Sequence, residues 1–411
     1  MAGRGMGGLM ISKRHVFFLA GYDPIDLGSQ HKRFRREAAK FEKTWSVSAN
    51  VSDIETVEGS ACWTLMTRGP NWTASTVFEP LDWHDVVAAD LARPAIPRLF
   101  EGFIAFADFL FSGTAFRYFA ASWRYGLFFM MPFFYLLIFA AAGIAAGAVL
   151  ACFAGAGTLA AIAITLVVAL VIFAVLRIWP GRRWRIDQAL ADWIFARDFM
   201  YGRRKDVEQR LDGFAKRIVA AARNNNADEI LVVGHSLGAT MAVEVIERAL
   251  AQDAALAAHG PKISLLTVGA TIPKIALHPA GKQLRAGMAR IAAEPGIFWT
   301  EYQARRDPIS FYKYDPAALR VFHANVPGQK PHICLVGLKD MLAPDTFAHH
   351  KLNHMRLHYQ FVMANERRAL YDYFMLLAGP GSCEDVSTRH AGALDAYGED
   401  GSYREPFKGD R

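Results

Sequence analysis

The chain has 411 residues, of which 53% are hydrophobic and 21% are charged, and its formal net charge is +7. This composition is too apolar for a disordered chain and too mixed for a protein made only of membrane spans. A basic balance is typical of proteins that bind nucleic acid or anionic membranes. The chain has no nucleic-acid motif, and its basic residues crowd the flanks of the longest apolar stretch, so we expect a membrane partner.

The termini and the cysteines bear on the compartment. The segment from Met1 to Met10 is Gly-rich and has no apolar core, so we expect no cleavable signal peptide and a cytoplasmic N-terminal region. The four cysteines are widely spread without C-x-x-C spacing, which argues against a disulfide framework and suits a reducing compartment.

Residues 11–92 have the pattern of part of an α/β domain. His15–Ala20 is short, apolar and aromatic, which predicts a buried strand, and His31–Trp45 predicts a basic helix. Alternating runs rich in Val, Thr and Trp follow and predict antiparallel or mixed strands. These runs are Trp45–Val51, Ala61–Thr67 and Thr73–Phe78.

Residues 93–125 are apolar and aromatic but carry scattered charges, which argue against a membrane span. An amphipathic helix at the membrane interface, a lid and a core helix all fit this pattern. The charges include Arg98, Glu101, Asp108 and Arg117.

Residues 126–178 predict a transmembrane helical hairpin. Gly126–Leu176 contains no charged residue, and as one helix at about 1.5 Å per residue it would exceed twice the ~30 Å bilayer core. The run must therefore fold back, and Gly155–Gly157 is the natural break. The predicted spans are Leu127–Phe153 and Leu159–Ile178, and the alternative is a buried helical pair in a large soluble core.

Basic residues flank this hairpin on both sides, whereas the connecting turn has none. The positive-inside rule therefore places both ends of the hairpin in the cytoplasm. The flanking residues are Arg117, Arg124, Arg177, Arg182, Arg183 and Arg185.

Residues 186–379 predict the second part of an α/β domain. A predicted helical region, Ile186–Asn224, precedes an alternation of strand and helix patterns. A helical pattern then continues to Leu377. Such alternation is typical of a doubly wound, mostly parallel sheet. The predicted elements are the strand Glu229–Val233, the helix Leu237–Leu250, and the strands Ile263–Val268, Ile297–Tyr302 and His332–Gly337. Residues 380–411 are polar and poor in apolar side chains, which predicts a disordered tail.

The central motif is Gly234-His235-Ser236-Leu237-Gly238. An apolar strand runs into it and an Ala-rich helix runs out, so the pattern predicts a nucleophilic serine on a tight, strained turn. Glycines two before and two after are needed because side chains would clash there, and the helix N-terminus directs its amides at a developing oxyanion. The alternative is a serine that only caps the helix.

On this motif and its context the chain resembles the α/β-hydrolase superfamily, in particular lipases, esterases and thioesterases with a G-H-S-L-G elbow. The resemblance covers Ser12–Trp83 and Ile186–Gly379, and the hairpin is an insertion that the ordinary fold lacks. It implies a triad ordered nucleophile, acid, histidine along the chain, and no cofactor.

The resemblance implies that the acid follows the second strand after the elbow, where Asp307 lies. Asp315 and Asp340 are the alternatives. The histidine should lie beyond the last strand, and His358 is preferred because an aromatic residue and an apolar segment follow it. His354, one helical turn earlier, is the alternative. Further histidines in this region are His349, His350 and His390.

The oxyanion would be bound by two backbone amides. One is the N–H of Leu237, and the other is the N–H of Tyr22, after the first strand. His235 is expected to pack within the elbow and not to act as the base. No metal-ligand cluster of standard spacing and no phosphate-binding glycine motif is present.

We therefore expect a membrane-anchored serine hydrolase of bacterial inner-membrane type, with a cytoplasmic catalytic domain. It would cleave a lipid-like ester or thioester through an acyl-serine intermediate, without cofactor, metal or nucleic acid. The first alternative is a catalytically silent hydrolase-like fold that acts as a membrane scaffold. A transporter is the other alternative, but two spans without ionisable residues are too few.

Overall fold

The structure is a computed structural model that describes residues 10–57 and 59–405. The predictions for the first nine residues fall outside this part of the chain. The chain divides into two compact units, one formed by Met1–Val87 and Arg204–Arg411 and the other by Ala88–Arg203.

The first unit is built on one mixed sheet with the strand order β11-β8-β7-β6-β1-β5-β4-β2, and β3 pairs with β4. A separate two-stranded ribbon joins β9 and β10. The strands are β1 (Lys13–Leu19), β2 (Ser48–Val51), β3 (Glu55–Val57), β4 (Ser60–Gly69), β5 (Trp72–Pro80), β6 (Glu229–His235), β7 (Lys262–Val268), β8 (Ile297–Ala304), β9 (Tyr314–Asp315), β10 (Arg320–Val321) and β11 (His332–Val336).

The strands from β5 to β11 in this order are mutually parallel, and β4 and β2 extend the sheet by antiparallel pairing. Every residue of β6 is buried, and its Ile-Leu-Val-Val run is typical of a parallel strand covered on both faces. The predicted mostly parallel α/β sheet is confirmed.

The helices, in chain order, are α1 (Leu27–Trp45), α2 (His84–Ala92), α3 (Ala95–Phe111), α4 (Thr114–Ala121), α5 (Trp123–Phe153), α6 (Thr158–Ile178), α7 (Pro180–Arg183), α8 (Ile186–Met200), α9 (Lys205–Asn224), α10 (Leu237–Gln252), α11 (Ile272–Ala276), α12 (Lys282–Ala293), α13 (Leu338–Met341), α14 (Pro344–His350), α15 (His354–His358), α16 (Tyr373–Ala378), α17 (Cys383–Thr388) and α18 (Ala393–Ala396). Single 3-10 turns lie at Leu256–Ala258 and Tyr359–Val362.

The helix α1 begins earlier than predicted and continues to Trp45, so the predicted strand starts only at Ser48. Asp26 caps its first turn, since the carboxylate accepts a hydrogen bond from the Ser29 backbone N–H at 2.9 Å. The helix ends where Ser46 adopts a positive φ of 56°. The predicted strand began too early because Trp45 is apolar and aromatic, as strand residues often are. Its side chain is buried, but it belongs to the last turn of α1.

The predicted disorder of the C-terminal tail is wrong for residues 380–405, which contain α17 and α18 and bury Cys383, Val386 and Tyr397. The segment is held by contacts with the first strand. Backbone pairing begins with the Ile11 N–H, which donates to the Pro380 carbonyl oxygen at 2.7 Å. The composition of this segment predicted disorder, because composition does not reveal contacts with residues more than 300 positions away along the chain.

A buried arginine on β1 anchors the same segment. Arg14 donates to the Glu229 carboxylate at 2.8 Å and to the carbonyl oxygens of Leu377, Gly379 and Gly381 at 3.0, 2.8 and 2.7 Å. The side chains of Arg14 and Glu229 are fully buried. One guanidinium thus pairs with a buried carboxylate and also donates hydrogen bonds to three buried carbonyl oxygens.

The second unit contains two helices, α5 and α6, that are long and apolar enough to cross a membrane. They are joined at the predicted break, where Gly155 has a φ of 61°. Their backbones approach closely, because a Cβ atom on Gly143 would lie 2.7 Å from the Ala169 oxygen and one on Gly147 would lie 2.7 Å from the Thr165 Cα.

The segment preceding these helices forms α3 and α4, which are bent by 70° and together also qualify as one broken span. One face of α3 is buried and includes Arg98 and Phe109, whereas Ile96, Phe100 and Phe111 are exposed. Apolar side chains of α3 therefore lie on both its buried and its exposed face.

Replacing Arg14 with methionine should destabilise the first unit strongly. Glu229 would remain buried without its cation, and the loss of such a partner costs about 3–5 kcal/mol. We expect the midpoint of thermal unfolding, followed by tryptophan fluorescence in detergent, to fall by about 10 °C. Arg35→Met is the control, because the Arg35 side chain is exposed and forms a surface pair with the exposed Asp53. Equal midpoints for the two variants would contradict the anchoring role.

Candidate active site

Ser236 occupies a strained turn between β6 and α10. Its backbone has a φ of 58° and a ψ of −126°, a conformation that costs a non-glycine residue about 1–3 kcal/mol. A Cβ atom on Gly234 would lie 2.5 Å from the Ala239 Cα, and one on Gly238 would lie 2.2 Å from the Leu19 oxygen. Both glycines of the motif are therefore required by close backbone contacts.

The serine side chain makes no capping hydrogen bond to α10, so the alternative interpretation of Ser236 as a helix cap is wrong. The residue is partly exposed, although its neighbours His235 and Leu237 are buried. The turn therefore leaves Ser236 in partial contact with solvent at the carboxyl end of the parallel strands.

Asp307 and His358, which are 51 residues apart in the chain, meet in the protein interior. The His358 Nδ1 lies 2.8 Å from the Asp307 Oδ2, and both side chains are almost completely buried. Asp307 follows β8, and its other carboxylate oxygen accepts a hydrogen bond from the Ile309 backbone N–H at 3.1 Å. The carboxylate is thus fixed by the loop beyond the strand and is oriented toward the imidazole.

The second nitrogen of His358 is buried and has no hydrogen-bond partner among residues 10–57 and 59–405. Because the carboxylate accepts from Nδ1–H, this Nε2 carries the lone pair in the neutral imidazole. A buried ring nitrogen with that lone pair is suited to accept a proton from a hydroxyl group.

The imidazole and the serine turn share their neighbours. A Cβ atom on Gly269 would lie 3.2 Å from the His358 Cε1. The preceding residue, Val268, accepts a hydrogen bond from the Ser236 backbone N–H at 3.2 Å. The end of β7 therefore contacts both groups.

The His235 side chain packs against His358, next to the Ser236 turn. Its Nε2 lies 3.2 Å from the His358 carbonyl oxygen, and the two ring centroids are 4.5 Å apart. Burial, together with the nearby His358, holds the pKa of His235 well below its usual range. The residue is therefore neutral and has a packing role, as the sequence predicted.

The loop after β1 lies directly against the serine. A Cβ atom on Gly21 would lie 2.9 Å from the Ser236 Cβ and 3.4 Å from its Oγ. Trp83 packs against this loop. Its indole N–H donates to the Ala20 carbonyl oxygen at 3.1 Å, and its ring centroid lies 6.0 Å from that of Tyr22. The predicted amide donors, on Tyr22 and Leu237, thus belong to the two segments that border the serine.

The alternative candidates lie elsewhere or have other partners. His354 is exposed at the first residue of α15, and His349 and His390 are also exposed. Asp315 is buried and accepts hydrogen bonds from the backbone of residues 317 and 318, and Asp340 is exposed. In the described ranges there is no group of three or more His, Cys, Asp or Glu residues that could hold a metal ion.

Three residues beside the site were not singled out from the sequence. The Tyr359 hydroxyl donates to the Asp23 carboxylate, and the Arg33 guanidinium lies 5.6 Å from the centroid of the Tyr359 ring. Only the adjacency of Asp23 to Tyr22 and of Tyr359 to His358 could have indicated them. Arg33 carried no signal, because it is one of many basic residues in α1.

Comparison of the chain with protein-family models, with curated proteins and with solved structures found no match. The function is therefore argued from the residues of this chain.

Replacing Gly238 with alanine should destabilise the elbow, because its Cβ would meet the backbone oxygen of Leu19. We expect a loss of about 2–3 kcal/mol, measured by denaturant unfolding in detergent. The matched control is Gly213→Ala on the exposed side of α9, where a Cβ meets nothing within 4 Å. That change should stabilise the helix by about 0.5–1 kcal/mol. The predicted elbow packing is wrong if both variants are equally stable.

Proposed function

We propose that the protein is a membrane-anchored serine hydrolase that cleaves a carboxylic ester or thioester through an acyl-serine intermediate. The observation that carries this proposal is the buried pair of Asp307 and His358, whose free Nε2 belongs to an imidazole packed beside the strained Ser236 turn. A structural ion pair would not require a ring nitrogen to stay buried without a partner, since such a group costs stability.

The roles follow from the protonation states of these groups. A serine hydroxyl is a weak nucleophile at neutral pH, so His358 accepts its proton as Oγ attacks the carbonyl carbon. Asp307 fixes the tautomer and stabilises the imidazolium that forms. His358 then returns the proton to the departing alcohol or thiol, and water releases the acid by the same sequence in reverse.

The negative charge that develops on the carbonyl oxygen needs donors that are already in place. The backbone N–H groups of Leu237 and Tyr22 are proposed for this role, since their segments border Ser236 on two sides. Leu237 begins α10, so the helix dipole adds to the stabilisation of an anion at this position.

The membrane anchor is proposed to be the hairpin of α5 and α6, with both ends cytoplasmic. Its length and apolar character support membrane insertion, and the arginines on its flanks support this orientation. An anchored hydrolase meets substrates at the bilayer surface, which favours a lipid-like acyl ester.

Replacement of the nucleophile or its partners should abolish ester hydrolysis. We expect Ser236→Ala and His358→Gln to lower kcat for short 4-nitrophenyl esters by about 10⁶-fold and Asp307→Asn by about 10⁴-fold. His354→Gln is the control, since His354 is exposed. Labelling of membranes with a fluorophosphonate probe should be lost in Ser236→Ala. Equal activity in wild type and Ser236→Ala would refute the nucleophile, and an unreactive wild-type protein would favour a scaffold.

The orientation of the hairpin can be tested by cysteine labelling in intact cells. In a Cys152→Ser background, Ala156→Cys places a thiol in the connecting turn and Asp53→Cys places one on the exposed surface of the first unit. We expect a membrane-impermeant maleimide to label position 156 in intact cells and position 53 only after lysis. The reverse pattern would show the opposite orientation.

A further inference from the structure

A polar crevice borders the proposed nucleophile on the side of the loop after β1. Its lining includes Gly21, Asp23, Arg33, His235 and Tyr359. Two of these residues adjoin the proposed catalytic groups, because Gly21 packs against Ser236 and the ring centroids of His235 and His358 are 4.5 Å apart. A group bound in this crevice would therefore lie next to the scissile bond.

Arg33 brings an uncompensated positive charge to the crevice. It is half-buried, and it makes no hydrogen bond or ion pair with any residue of the described chain. Its neighbours on α1 are paired: Arg35 with Asp53, and Arg36 with Glu37. Glu37, one helical turn after Arg33, also binds Lys40, so its carboxylate is already shared by two cations.

The position of the guanidinium is set by an aromatic ring. Arg33 lies over Tyr359 at 5.6 Å from the ring centroid, which is a cation–π contact. The Tyr359 hydroxyl is in turn held by the Asp23 carboxylate. The guanidinium therefore lies against the Tyr359 ring, and its N–H groups donate no hydrogen bond to the described residues.

The remaining polar groups of the crevice do not neutralise Arg33. His235 is uncharged, because burial, together with the neighbouring His358 and Arg33, holds its pKa well below its usual range. Asp23 bonds to Tyr359 and forms no ion pair with Arg33. A partly desolvated guanidinium that makes no direct ion pair is costly, and its fork of donors matches a carboxylate or phosphate.

We propose that Arg33 is a specificity residue that binds an anionic group of the substrate, a carboxylate or a phosphate. The preferred substrates are then esters that carry a negative charge close to the scissile bond. This inference rests on the proposed hydrolase function, whereas the crevice itself is defined by geometry alone.

Binding is tested without catalysis. In full-length Ser236→Ala protein in detergent, calorimetry compares monobutyl succinate, which carries one carboxylate, with its uncharged methyl butyl diester. We expect tighter binding of the monoanion, and loss of about tenfold of that preference on adding Arg33→Gln, because a hydrogen bond to a charged group is removed. Arg33→Lys should retain part of the preference, since it keeps the charge without the fork. Arg35→Gln is the matched control and should keep the full preference.

Catalysis is tested in the otherwise wild-type protein. The ratio of kcat/KM for 4-nitrophenyl hemisuccinate to that for 4-nitrophenyl butyrate should fall about tenfold in Arg33→Gln. A second pair, 1-butanoylglycerol 3-phosphate and 1-butanoylglycerol, tests a phosphate on the alcohol side. The pair whose ratio falls identifies the anion and the side of the ester that Arg33 binds.

The outcomes separate this inference from the proposed function. Ester hydrolysis with ratios that Arg33→Gln leaves unchanged would overturn the role of Arg33 and leave the hydrolase standing. Arg33-dependent binding of the monoanion without hydrolysis of any ester would retain the anion site and refute the hydrolase. Absence of a charge preference in binding would overturn the anion site directly.

Discussion

The parallel pairing of β1, β6, β7 and β8 is the constraint on which the rest of the structure depends. Parallel strands bring their carboxyl ends to one edge of a sheet, and four segments of the site follow these ends. The loop with Gly21 follows β1, Ser236 follows β6, Gly269 follows β7 and Asp307 follows β8. The site is therefore assembled by strand register, although its members are far apart in the sequence.

Burial of the same sheet offsets the free-energy cost of the strained backbone at Ser236. The strand β6 is buried along its whole length and pairs with strands on both sides, so its end is held rigidly. A cost of about 1–3 kcal/mol at one residue is small against the burial of several Val, Ile and Leu side chains, each worth about 1.5–3 kcal/mol. Gly234 and Gly238 then permit the close backbone contacts that keep the turn tight.

Much of this arrangement was predicted from local sequence patterns, whereas the rest depends on contacts between residues that are far apart in the chain. The strand before Ser236, the helix after it and the break at Gly155 are encoded in neighbouring residues, so periodicity and glycine positions predicted them. The Asp307–His358 pair was reached through a resemblance, in which the aromatic residue and the apolar segment after His358 favoured it over His354. The order of residues 380–405 was missed, since it depends on Arg14, more than 360 residues earlier in the chain.

The bond from Arg14 to the carbonyl groups near Gly379 has a consequence for biosynthesis. The strand β1 is translated before its parallel neighbour β6 and before the C-terminal carbonyl groups that Arg14 binds, which follow more than 200 and 360 residues later in the chain. The apolar helices α5 and α6 are translated between β1 and β6, while the sheet is still incomplete. The apolar strand β1 therefore lacks its partner β6 and the Arg14 contacts during this part of synthesis, and unpaired strands of this kind are prone to aggregate.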